Sequence, residues 1–89
     1  MTTQWHDEKV FIYILYSSLK ERYYVGQTDN LDNRLERHNQ GKVKSTKYGV
    51  PWKLVHKIKV EIRSEALLLE RKIKKRGAKR FLEDNHFGV

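Results

Sequence analysis

The 89-residue chain contains no cysteine. Neither a disulfide framework nor a thiolate metal site is open to it, which suits a reducing compartment. Its four histidines, His6, His38, His56 and His86, show none of the spacings that hold zinc. Long apolar runs are missing as well. The longest, Val10 to Tyr16, covers seven residues, where a membrane helix needs ~20. The stretch before it, Met1 to Lys9, has no apolar core of a signal peptide and is expected to be a polar, loosely ordered lead-in. There is no internal repeat and no low-complexity tract. One small domain over residues 1–89, monomeric, cytoplasmic and without a membrane partner, is the expectation.

Acidic residues are absent from Lys42 to Lys59, a segment that holds six lysines. The net charge of +8 is therefore unevenly spread: residues 1–40 carry five Lys/Arg against six Asp/Glu, residues 41–89 fourteen against five. Such an asymmetry points to a polyanionic partner, most simply nucleic acid, whose phosphates release counterions when neutralised. The competing explanation is a basic surface that serves solubility. A lipid surface fits less well, because the lysines do not share one amphipathic helix with a bulky apolar face.

Val10–Tyr16 is β-branched and aromatic throughout, as in a central strand covered on both faces. A polar turn, Ser17 to Arg22, returns the chain to a second strand, Tyr23 to Val25, so a hairpin is expected. Tyr13 and Tyr24 then lie on neighbouring strands, on faces that the sequence leaves open. Gly26 lets the chain leave the strand sharply. Thr28, Asp29 and Asn30 are candidate N-caps for a helix that runs to Gly41, a good terminator. On that helix Leu31, Arg34, Leu35 and His38 fall at i, i+3, i+4 and i+7, one face. Two are ordinary core residues. The others are a fixed cation and a titratable base, which on a buried stripe need partners or do chemistry.

Gly41 to Pro51 is expected to be a loop in which Lys42, Lys44 and Lys47 alternate with small residues and Tyr48 offers a stacking surface. From Trp52 to Val60 the alternation puts Trp52, Leu54, His56, Ile58 and Val60 on one face and Lys53, Lys57 and Lys59 on the other, with Val55 out of pattern. His56, among apolar neighbours, is expected to be a core histidine. Ser64 is the expected cap of a second helix, with Glu65 in its first turn. Ala66, Leu69 and Ile73 form its stripe, Leu67 and Leu68 widen it, and Glu70 stands within it. A buried carboxylate needs a partner, here Arg34 or a divalent metal, unless it reaches solvent at the stripe's edge. Cations from Arg71 to Arg76 close the helix, Gly77 breaks it, and Ala78–Asn85 is a short third helix packing Phe81 and Leu82.

Taken in order, Phe11-Ile12-Tyr13, Tyr24-Val25-Gly26, Arg34, His38 and Glu70 resemble the GIY-YIG nuclease superfamily, especially its small stand-alone bacterial members. The first tripeptide matches the family's first motif and the second its second motif. The arginine eight residues beyond that glycine falls on Arg34, a His or Tyr four residues later on His38, and the metal-binding glutamate on Glu70. The resemblance covers about residues 9–77. Phe11 replaces the first motif's glycine. Gln27 stands where the amino-terminal nuclease domain of UvrC has a lysine. A terminal asparagine of some restriction-enzyme members has no clear counterpart beyond Asn85.

The resemblance implies an α+β fold, a small three-stranded antiparallel sheet flanked by helices. It also implies an endonuclease that hydrolyses phosphodiester bonds in DNA with little sequence preference, in a setting such as repair or recombination. Glu70 would hold one divalent ion, Mg²⁺ or Mn²⁺, which tolerates few protein ligands. Arg34 would fork onto the phosphate oxygens. Tyr13 is the implied base, with Tyr24 and His38 positioning water or accepting its proton. A free tyrosine titrates near ~10 and histidine nearer neutrality, so the choice between Tyr13 and His38 stays open. Gln27, Arg37, Lys42, Lys44, Lys47 and Tyr48 are the expected nucleic-acid contacts. Two alternatives remain: an inert nucleic-acid-binding module that keeps the fold, and a basic assembly factor in which Tyr13, Arg34 and Glu70 are structural.

Overall fold

The computed structural model describes residues 9–85. The expected lead-in before Lys9, with His6, and His86 near the other end lie outside the described residues. The elements run β1 (Val10–Ser17), β2 (Arg22–Thr28), α1 (Leu31–Asn39), a 3-10 turn (Lys47–Gly49), β3 (Lys53–Val60), α2 (Arg63–Arg76) and α3 (Ala78–Asp84). The three strands form one antiparallel sheet in the order β2-β1-β3.

The central position of β1 follows from its composition, since both of its faces find apolar cover. Val10, Ile12 and Ile14 pack with Val25, Val60, Ala66, Ile73, Ala78 and Leu82, the cluster closed by α2 and α3. Tyr13 and Leu15 point the other way, to Trp52, with Tyr24, Leu31, Leu35, Val50 and Leu54 around them. Helix α1 and the segment after it cover this second face. Each fully buried side chain of this size stabilises the fold by about 1.5–3 kcal/mol through lost apolar exposure. The hairpin between β1 and β2 forms as expected, its turn taking Glu21 into the left-handed region (φ 52°) at a local cost.

Three local expectations are corrected. First, β3 does not keep one alternation. Ile14 pairs with His56 but Leu15 pairs with Leu54, so Val55 is an extra residue in a β-bulge. Because side-chain direction has a period of two, the insertion turns one half of the strand over relative to the other. Trp52 and Leu54 join the Tyr13 side, whereas His56, Ile58 and Val60 lie on the side of α2 and α3. Second, Ser64 does not cap α2. The helix begins at Arg63 after Ile62, whose carbonyl accepts from the Ala66 N–H at 3.1 Å, and no side chain caps it. Third, Leu67 and Leu68 are exposed, because only the narrow stripe of Ala66, Leu69 and Ile73 meets the sheet. Gly77 ends α2 at φ 94°, and α3 packs Leu82 and Phe81 as expected.

Candidate active site

Gly26 makes the site possible. It faces Tyr13 across the β1–β2 pairing, and the Tyr13 ring crosses the space that any larger residue would fill. A Cβ at Gly26 would lie 2.6 Å from the Tyr13 hydroxyl and 3.0 Å from the Tyr24 ring. Tyr24 pairs with Leu15, two residues along β1 from Tyr13, so both tyrosines occupy one face of the sheet. Their ring centroids are 6.1 Å apart.

Helix α1 brings the other two groups. Asn30 caps it by accepting from the Asn33 N–H at 3.1 Å, and Gly41 closes it at φ 75°. Arg34 and His38, one turn apart, consequently point to the tyrosines. The His38 ring centroid is 5.7 Å from that of Tyr13 and 5.0 Å from that of Tyr24. His38 Nε2 and the Tyr13 hydroxyl are hydrogen-bonded at 2.9 Å, both groups buried. Arg34 sits close to the two tyrosine hydroxyls, which keep its guanidinium protonated. Its Nε is buried and has no hydrogen-bond partner among the described residues. A buried donor without an acceptor is costly unless a ligand supplies one.

The electrostatics leave Tyr13 and His38 uncharged beside the Arg34 cation. Burial pushes the Tyr13 hydroxyl up to about 12, against the opposing pull of Arg34. Burial, with Arg34 and Arg37 adding repulsion, pulls the His38 imidazole down to about 4. Arg34 thus does not by itself make Tyr13 a phenolate, and His38 is neutral at pH 7.

Glu70 stands apart. Gln27 pairs with Ile12 and so lies on the α2 face of the sheet, opposite to the tyrosines. There Gln27 Nε2 donates to Glu70 Oε1 at 2.7 Å, and Lys74 Nζ lies 2.7 Å from Glu70 Oε2. Gln27 Oε1 in turn accepts from Arg63 at 3.2 Å. Burial opposes the Glu70 charge, but Lys74 and Gln27 outweigh it and hold the carboxyl below the usual range. Of the candidate partners expected for Glu70, Arg34 is not the one present; Gln27 and Lys74 hold its two oxygens. Between the two groups, at the edge strand β2, Tyr23, Tyr24, Val25, Lys74 and Ala78 line one shallow hollow. No cluster of three or more His, Asp or Glu is present among the described residues.

The basic loop is pinned. Asn39 grips the Trp52 backbone, accepting from its N–H at 2.6 Å and donating to its carbonyl at 3.0 Å. Trp52 Nε1 donates to the Thr46 carbonyl at 2.7 Å, and the Thr46 hydroxyl meets His38 Nδ1 at 2.7 Å. Lys42, Lys44, Lys47 and Tyr48 are exposed around this anchor, and the Lys20 ammonium lies 5.7 Å from the Tyr48 ring centre. Arg37 is exposed on α1. Sequence reasoning missed Thr46 and Asn39, since small polar residues beside a loop carry no distinctive pattern. The sequence puts Lys53, Lys57 and Lys59 on one face; in the structure Lys57 and Lys59 pair with Tyr13 and Phe11 and share their face, while Lys53 pairs with Tyr16 on the other. The out-of-place Val55 was the available signal.

The model of the GIY-YIG catalytic domain matches residues 9–83. The chain belongs to the GIY-YIG family. It is 45% identical over 69 residues to a UPF0213 protein from Syntrophus aciditrophicus (strain SB), covering 75% of this chain and 78% of that protein. The solution NMR structure of a UPF0213 protein from Bacillus halodurans superposes with a TM-score of 0.53 at 26% identity, covering 84% of this chain and 80% of that one. The family's three-stranded antiparallel sheet with flanking helices is the fold observed. Among the described residues no helix is long and apolar enough to cross a membrane.

Proposed function

We propose that the protein is an endonuclease that hydrolyses phosphodiester bonds in DNA, with little dependence on base sequence. The observation that carries this is Arg34: a guanidinium held among Tyr13, Tyr24 and His38, its buried Nε lacking an acceptor. A phosphate oxygen is the acceptor that fits a planar cationic fork. Membership of a nuclease family supports the same reading.

In this scheme water attacks phosphorus and the bond to the leaving 3′ oxygen breaks with its electron pair. The attacking water gives its proton to the Tyr13 oxygen as Tyr13 passes its own to His38 Nε2, 2.9 Å away. A neutral imidazole beside an incoming phosphate becomes more basic, because the anion offsets Arg34 and Arg37. His38 later returns the proton through the Tyr13 hydroxyl once the product has left, and the leaving oxygen takes one from solvent. Tyr24 borders the attacking water.

A divalent cation fits Glu70 in donor chemistry: one hard carboxylate suffices for Mg²⁺, which keeps most of its waters. Lys74 is paired with Glu70 Oε2, so an ion held by Glu70 would have to share or displace that contact. Bound there, Mg²⁺ or Mn²⁺ would supply positive charge for the leaving oxygen. The engagement of both Glu70 oxygens by Gln27 and Lys74 favours the second reading, an inert DNA-binding module. Incubating supercoiled, flapped and branched DNA with the protein and Mg²⁺ or Mn²⁺ separates the two. Nicking that disappears in Arg34→Lys supports the nuclease, since a point charge cannot replace the fork. Binding without nicking on every substrate supports the inert module.

A further inference from the structure

We infer that Thr46 is a positioning residue for this chemistry: its hydroxyl holds His38 in the tautomer that keeps Nε2 free to receive the Tyr13 proton. The inference rests on the reading of Tyr13 and His38 just given. Thr46 is 1% exposed and His38 fully buried, so no solvent competes for Nδ1.

The hydrogens can be assigned from both ends. Thr46 has one hydroxyl hydrogen, and the Val43 carbonyl, which can only accept, lies 3.4 Å from its oxygen. Given to Val43, that hydrogen leaves the Thr46 oxygen to accept at 2.7 Å from His38 Nδ1–H. A neutral imidazole with hydrogen on Nδ1 has an open lone pair on Nε2. At the other end, Arg34 has only donors and lies near the Tyr13 oxygen. The phenol hydrogen must therefore turn away from Arg34, and Nε2 is its acceptor at 2.9 Å. The chain of donors runs Tyr13 to His38 to Thr46 to Val43, each hydrogen pointing the same way.

Thr46 is held where this requires. Its N–H donates to Val43 O at 3.0 Å, and its carbonyl accepts from Gly49 N–H at 3.0 Å and from Trp52 Nε1 at 2.7 Å. Asn39 fastens Trp52 to α1 beside His38, so one helix carries the imidazole and also the clamp of the loop that orients it.

The test is ¹⁵N NMR of imidazole-labelled protein, beside single-turnover cleavage, for the parent, Thr46→Val and Thr46→Ser. The parent should show a protonated-type Nδ1 and an unprotonated-type Nε2 for His38 at pH 7. Thr46→Val keeps the shape but removes the acceptor. It should mix or invert the tautomers and lower kcat about tenfold or more, with KM and DNA binding unchanged. Thr46→Ser should restore both. A parent His38 protonated on Nε2 overturns the inference, even if Thr46→Val does not fold. So does a Thr46→Val protein that keeps the Nδ1–H tautomer or keeps full kcat despite losing it. Should the parent cleave nothing, the nuclease reading fails while the tautomer readout still judges the role of Thr46.

Discussion

The Tyr13 hydroxyl lies so close over Gly26 that a Cβ at that position would come within 2.6 Å of its oxygen and 2.8 Å of its Cζ. Tyr13 cannot retreat cheaply, because it is buried and bonded to His38. Gly26→Ala should therefore lower stability by about 1–3 kcal/mol, the usual penalty of overpacking. It should also break the Tyr13–His38 bond. Urea denaturation measures the first and the His38 imidazole resonances the second. An alanine variant as stable as the parent, with an unchanged His38 spectrum, would show that the close approach does not constrain the site.

The bulge at Val55 divides the three lysines of β3. Lys57 and Lys59 share the face of Tyr13, and Lys53 lies on the other. If substrate phosphates cross the tyrosine face, replacing Lys57 and Lys59 by alanine should weaken DNA binding on all sequences. The slope of log K against log salt should flatten by about one for each phosphate no longer neutralised. Lys53→Ala should leave that slope unchanged. Loss of Lys42, Lys44 and Lys47 together should flatten it further. Equal effects from Lys53 and Lys57 would detach binding from the sheet's two-faced geometry.

His38 makes stability depend on pH in a defined window. In the unfolded chain its pKa is near ~6.5; in the native protein burial, Arg34 and Arg37 pull it down to about 4. Tyr13, whose hydroxyl is pushed up to about 12, also faces it and stays neutral through this window. Between the two values the unfolded chain binds a proton that the native protein does not, so stability rises with pH. The contribution is complete above ~6.5 and is lost as pH falls toward 4, by on the order of 3 kcal/mol. His56, lowered by its own burial, adds in the same direction. Denaturant midpoints at pH 7, 5.5 and 4.5 should fall steeply for the parent and less steeply for His38→Gln. Parallel curves would mean that His38 can protonate freely in the native state.

The sheet and α1 were legible because their signals are local. A run apolar on both faces can only be central, and Asn30 with Gly41 brackets a stripe whose four residues all face one way. The Ser64 cap and the buried Leu67 and Leu68 failed because helix ends and stripe widths are set by what the helix packs against. The bulge failed for a related reason: alternation looks identical on either side of an inserted residue. Register then decided the rest. Gln27 follows Gly26 by one position and so lands on the opposite face from Tyr13, carrying Glu70 away from Arg34. Thr46 reached His38 only through a loop folded by Trp52 and Asn39, contacts that no spacing encodes.

Glu70 is where a structural role and a metal-binding role predict different measurements. Its carboxylate is bonded to Gln27 and Lys74, and its side chain is 14% exposed, that of Lys74 54%. Arg34, on the other face, would not be stranded by its loss, so a penalty of about 3 kcal/mol or more for an orphaned buried cation does not apply. Glu70→Gln can still accept the Gln27 hydrogen bond and forfeits only a pair with a half-exposed lysine. Its stability in EDTA should change by less than about 1 kcal/mol. Cleavage should be lost, because a neutral amide binds a hard cation poorly, while DNA binding persists. Lys74→Ala gives the converse. With Oε2 released, Mn²⁺ binding followed by calorimetry should tighten, and less metal should be needed for half-maximal cleavage. If Lys74→Ala leaves Mn²⁺ affinity untouched and Glu70→Gln still cleaves, Glu70 is a surface strut between α2 and β2 and the metal lies elsewhere.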